Sequence, residues 1–124
     1  MYSAQLLDHF NQPRNAGDVE HPDVSVQLSN PACGDVMRLS LRIAAGRVSE
    51  IRFKAKGCVP AIACASAITE LAQQKTIAEA HALTRADVIA HVGGLPDASA
   101  HASHLAIDSL REALRQLETR KLEK

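Results

Sequence analysis

The apolar periodicity of this chain changes at Gly57, and that change limits what the chain can fold into. Before it, Met37, Leu39, Leu41 and Ile43 alternate with Arg38, Ser40 and Arg42, and Ile51, Phe53 and Ala55 alternate with Arg52, Lys54 and Lys56. A period of two sends one residue set to a dry face and the other to water, so both runs read as half-buried strands. Ala45-Gly46 between them allows only a tight reversal, hence an antiparallel pair. Val24, Val26 and Leu28 add a third alternating run, completing a meander with one wet face. After Gly57, Pro60 suits the first turn of a helix, and Ala61 to Ile68 are nearly all small, which lets other elements approach closely.

Further helices follow from their end signals. Ser3 caps a short amino-terminal helix with Leu6, Leu7 and Phe10 on one side, and Pro13 to Gly17 stop it. Thr84 with Asp87 resembles a capping box, and Gly93-Gly94 close that helix. A long last helix carries Leu105, Leu110, Ala113, Leu114 and Leu117 at three- and four-residue intervals, with a frayed tail expected from about Glu118 to Lys124. The expected class is α+β: a three-stranded antiparallel sheet packed on one face by helices. With 124 residues, the chain has one domain's worth of length, 1–124.

Composition narrows the function. Lysine plus arginine number 14 and aspartate plus glutamate also 14, so no field of one sign attracts nucleic acid or anionic lipid. The only aromatics are Tyr2, Phe10 and Phe53, too few to stack bases. No run of about 18 apolar residues and no signal-peptide layout occurs, so a soluble, cytoplasmic protein is expected without a membrane partner. Three cysteines at irregular spacing argue for metal or sulfur chemistry over a disulfide framework in a reducing compartment.

The candidate ligands fall at element ends. Cys33, bracketed by Pro31 and Gly34, lies in the turn between the first two strands, Asp35 follows with an available oxygen, Cys58 sits at the strand-to-helix junction, and His101 near the start of the last helix. Thiolate with imidazole suits zinc, iron or iron-sulfur clusters. The positive helix N-terminus is expected to lower the Cys58 pKa and favour its thiolate. Cys64, about one turn beyond Pro60, is either a small packed residue or an auxiliary thiol leaning back toward Cys58. His104, three residues after His101 on the same helical face, is likewise either structural or an auxiliary ligand, and His9, His21, His81 and His91 read as surface or capping residues.

Tyr2-Ser3, Asp8-His9-Phe10 and Pro13-Arg14-Asn15-Ala16-Gly17, then Asn30-Pro31-Ala32-Cys33-Gly34-Asp35, Phe53-Lys54-Ala55-Lys56-Gly57-Cys58, and Leu95-Pro96 followed by His101-Ala102-Ser103-His104-Leu105-Ala106 run in one order along the chain. In that order and spacing the chain resembles the IscU/NifU-type iron-sulfur cluster assembly scaffolds. The resemblance implies a SufE/NifU-like fold and a scaffold, not an enzyme, which accepts sulfur from a cysteine desulfurase, receives iron, assembles a [2Fe-2S] cluster and passes it to apo-proteins. Carried over, Cys33, Cys58 and His101 match cluster ligands and Asp35 the aspartate that tunes lability; zinc is the expected occupant of iron-free protein. The family's cysteine after the histidine is Ala102 here, and Leu95-Pro96-Asp97-Ala98-Ser99 replaces its chaperone-recognition loop, so a more labile or absent cluster is expected and chaperone-assisted release through this loop is not. Tyr2 and the amino-terminal arm are candidates for docking on a desulfurase or a second copy of the chain. Two alternatives stand beside the scaffold: a zinc-bound sulfur acceptor that activates a desulfurase, and an interaction module that has lost the chemistry.

Overall fold

The computed structural model describes residues 2–30 and 34–122, with side chains through Thr119. Strands β1 (Val24–Asn30), β2 (Asp35–Ala44) and β3 (Arg47–Lys56) form an antiparallel sheet in the order β1-β2-β3. Registers run from Val24 opposite Leu41 to Asn30 opposite Asp35, and from Val36 opposite Lys56 to Ala44 opposite Arg47, with a bulge at Arg42/Ile43. Ala45 and Gly46 both take positive φ, 54° and 74°, the backbone of a two-residue turn whose twist matches the strands. The alternation read from sequence holds: Met37, Leu39, Leu41, Ile51 and Phe53 are buried while Arg38 and Lys54 are exposed.

The outer face is less wet than alternation alone implies. Ser40 is buried because its hydroxyl accepts the Val19 amide at 2.9 Å, where the segment leading into β1 crosses the sheet. That segment also pairs with β3: Gly17 donates to the Phe53 carbonyl and Phe53 to the Asn15 carbonyl, at 2.8 and 2.9 Å. At the other end of β3, Val48 exchanges two backbone hydrogen bonds with Lys75 and Gln74, both at 2.8 Å.

Helices α1 (Ala4–Asn11), α2 (Val59–Ala72), α3 (Ile77–His81), α4 (Arg85–His91) and α5 (His101–Leu122) flank the strands, with a 3-10 turn over Asp97–Ser99. Helices α2 and α5 cover the dry face, and α1 and α4 pack against α2 in turn. Every residue of α2 from Ala63 to Thr69 is buried, as its small side chains permit; a helix enclosed on all sides carries no polar stripe. Ser3 caps α1, accepting the Leu6 amide at 2.9 Å and donating to the Val92 carbonyl, while Thr84 and Asp87 form the anticipated reciprocal box on α4.

Three local expectations are corrected. Within α1 the inward side is Leu6 and His9; Leu7 is exposed. Helix α3 was not anticipated, although Thr76 and Glu79 form a complete capping box, the signal that marks its start. The end of α5 stays helical to Leu122, with Glu118 paired to His81 at 2.8 Å; 123–124 lie outside the described residues.

Candidate metal centre

Asp35 opens β2, Cys58 is the N-cap of α2, and His101 opens α5. The sheet register sets the first two side by side, because Val36 pairs with Lys56 and leaves the neighbouring Asp35 and Gly57 in contact. Gly57 has φ +150° and no side chain; a Cβ there would lie 3.1 Å from Asp35 Cα and closer still to its carboxylate. Only glycine lets the β3 end pass Asp35 this closely.

Asp35 is 1% exposed. Its Oδ1 accepts the Cys58 amide at 3.1 Å, which satisfies one carboxylate oxygen and fixes the other. Oδ2 then lies 3.6 Å from Cys58 Sγ and 3.5 Å from His101 Nε2, and Sγ and Nε2 are 3.9 Å apart. Tetrahedral ligation at roughly 2.0–2.3 Å requires donor separations of roughly 3.3–3.8 Å. The three donors thus lie close to three vertices of such a tetrahedron. Cys58 is exposed, so the triangle is open to solvent on that side.

The expectation that the helix N-terminus would favour the Cys58 thiolate is reversed. Burial pushes its pKa up, as does the neighbouring Asp35 charge, and the Ala61 amide at the start of α2 only partly opposes them. Metal binding here would release the thiol proton. Cys64 lies in the core with no exposure, its pKa pushed up to about 12 by burial and then by Cys58. Cys33 lies outside the described residues. His104 sits one turn past His101, exposed along a shallow groove with Leu28, Ser29, His101, Leu105 and Asp108, and is not in the donor triangle. Ala102 is 1% exposed and contributes a methyl to the core, with no donor atom.

The other histidines divide. His21 is exposed beside Glu20, and His81 pairs with Glu118 on the surface. His9 is not a surface residue: it is 5% exposed and its Nδ1 lies 2.8 Å from Ser66 Oγ. His91, partly exposed in the last turn of α4, meets Glu70 Oε1 through its Nε2 at 2.7 Å. Sequence spacing gave no sign of this, because Glu70 reaches both rings only when α1, α2 and α4 pack together.

The family described as the NifU-like N terminal domain matches the chain over residues 1–124. An iron-sulfur cluster assembly scaffold protein IscU of Archaeoglobus fulgidus is 44% identical over 114 residues, covering 92% of this chain and 74% of the relative. The IscU scaffold protein of Escherichia coli K12 is 37% identical over 117 residues, 91% of both chains. Among solved structures, a nitrogen-fixing NifU-like protein (N-terminal) from Brucella abortus superposes with TM-score 0.80 at 17% identity over 94% of each chain, a likeness of fold. The alternating strands, the glycine-permitted junction at Cys58 and these relatives together place the chain in the NifU-like N-terminal domain family.

Proposed function

We propose that the chain is a single-domain scaffold for iron-sulfur cluster assembly, with Asp35, Cys58 and His101 as three of the cluster's anchors and Cys33, two residues before Asp35, as the fourth. The triangle of donors at 3.5, 3.6 and 3.9 Å carries this reading. Its mixed sulfur, nitrogen and oxygen character suits iron or zinc and disfavours hard cations. The relatives are named as scaffolds, which agrees with a binding role and not with turnover of a substrate.

In this scheme the sulfur comes from a desulfurase persulfide. A thiolate of this chain attacks the terminal sulfur, the sulfur–sulfur bond of the donor breaks, and the donor leaves as a thiolate. Reducing that sulfur to bridging sulfide takes two electrons from an external reductant. Four protein ligands hold two irons at two ligands each, and with only two of the four being thiolates the cluster is held less firmly than by four cysteines. Such a cluster is suited to being handed to an apo-protein.

A second reading is favoured by the same distances: three donors around one tetrahedral position describe a single zinc ion, whereas a two-iron cluster would draw two protein ligands to each iron. The chain would then rest with zinc and take persulfide from a desulfurase without building a cluster. Anaerobic incubation with iron, cysteine and a desulfurase separates the two. Visible bands of sulfide-bridged iron, lost in Cys58→Ser and Asp35→Ala, support the scaffold. A mass gain of one sulfur on a thiol, with no such bands, supports the acceptor. Absence of both removes both readings.

A further inference from the structure

A second group of donors lies apart from the first. His9 on α1, Glu70 on α2 and His91 on α4 each offer one ligand atom, all within 4.8 Å of one another. Glu70 Oε1 stands between the rings, 2.7 Å from His91 Nε2 and 3.5 Å from His9 Nε2. Ring centroids are 5.3 Å apart and the rings are tilted by 57°, so they do not stack face to face but splay around the carboxylate.

We propose that His9, Glu70 and His91 form a second metal site, taking a divalent transition ion of the zinc class through two imidazole nitrogens and one carboxylate oxygen. Tetrahedral ligation by nitrogen and oxygen at roughly 2.0–2.2 Å needs donor separations of roughly 3.2–3.6 Å. The 3.5 Å His9–Glu70 separation lies within that span and the 2.7 Å His91–Glu70 separation, a hydrogen bond, falls short of it, so a side-chain rotation that draws the carboxylate away from His91 admits the ion.

The surroundings resemble those of a built site. A ligating histidine commonly has its other ring nitrogen held by a protein oxygen, which sets the ring's orientation. His9 Nδ1 lies 2.8 Å from Ser66 Oγ, and that hydroxyl is itself held by the Arg14 amide at 2.8 Å, leaving Nε2 toward Glu70. Glu70 Oε2, the oxygen not needed for the ion, lies 3.7 Å from Arg14 Nε. Two histidines with one carboxylate leave a tetrahedral ion one open position, for water or a small anion.

The site contains no sulfur, which separates it experimentally from the one at Cys58. The test uses metal-free full-length chain carrying Cys58→Ser and His101→Ala, so that the first donor set is disabled, titrated with Zn2+ by calorimetry and checked by metal analysis after dialysis. The expected result is one zinc per chain, with binding lost or at least tenfold weaker when His91→Ala is added. Glu70→Gln keeps a hydrogen-bonding group at the same position and is expected to weaken zinc binding similarly, while its melting in chelator stays close to that of the parent. Cobalt bound to the same protein should show d–d bands and no thiolate charge transfer. No zinc uptake by the parent, or uptake unchanged by both substitutions in chains that circular dichroism shows folded, overturns the proposal. Because Cys58 and His101 are already removed, these outcomes do not depend on whether a cluster forms at the first site.

Discussion

Gly57 determines where Asp35 can be. Any side chain there meets the Asp35 carboxylate, and a φ of +150° is a conformation that side-chain-bearing residues rarely adopt. Gly57→Ala is therefore expected to displace the carboxylate that bonds the Cys58 amide and to lower metal affinity at this triangle, by about tenfold or more if Asp35 behaves as a ligand support. Competition of the variant and the parent against a chelator of known affinity measures it; equal affinities would show that Asp35 does not depend on this glycine. Cys64 gives a second residue-level expectation. With its thiol held up to about 12 against an ordinary 9.0, the unfolded chain releases the proton first as pH rises. Stability is then complete below about pH 9 and falls by about 1.4 kcal/mol per pH unit between the two values. Denaturant unfolding of the parent and of Cys64→Ala from about pH 8 to about pH 11 checks this, the parent losing more over that range.

The elements were legible wherever a single residue type decides the local backbone. The alternation in β2 and β3, the Ser3 and Thr84 caps and the stop at Gly93-Gly94 all rest on local chemistry, and the structure contains them. What was not legible depends on neighbours distant in sequence. Leu7 is as apolar as Leu6, yet only the position of α2 decides which of them faces inward. The helix N-terminus alone favours the Cys58 thiolate; burial and Asp35, brought in by the sheet register, reverse the direction. The β2–β3 turn supplies a test at this scale. Ala45 takes φ 54°, which costs an L-residue with a Cβ roughly 1 kcal/mol that glycine does not lose. Ala45→Gly is expected to gain up to about 0.5–1 kcal/mol, reduced by the greater freedom of glycine in the unfolded chain; a fall in the melting temperature would contradict it.

At the scale of the molecule, the core is a single aliphatic cluster joining the sheet to α2 and α5. Leu39 on the central strand and Leu110 on α5 both lie in it with at most 1% exposure. Truncating either to alanine is expected to cost about 2–5 kcal/mol, with the unfolding slope unchanged if the transition stays cooperative. The candidate centre depends on the same assembly, since Asp35, Cys58 and His101 come from three elements: the sheet register and a hydrogen bond join the first two, and the packing of α5 brings the third. That is why the candidate donors could be named from local sequence, while their convergence was implied only by the resemblance. No helix among the described residues is long and apolar enough to cross a membrane.

The backbone bridges along β3 have one more result. An incoming polypeptide that lengthens a sheet needs a row of vacant amides and carbonyls, and on this strand residues 15–17 and 74–76 already occupy positions at both ends. Among the described residues, strand-to-strand polymerisation or capture of an extended peptide is thereby directed to the opposite margin, along β1.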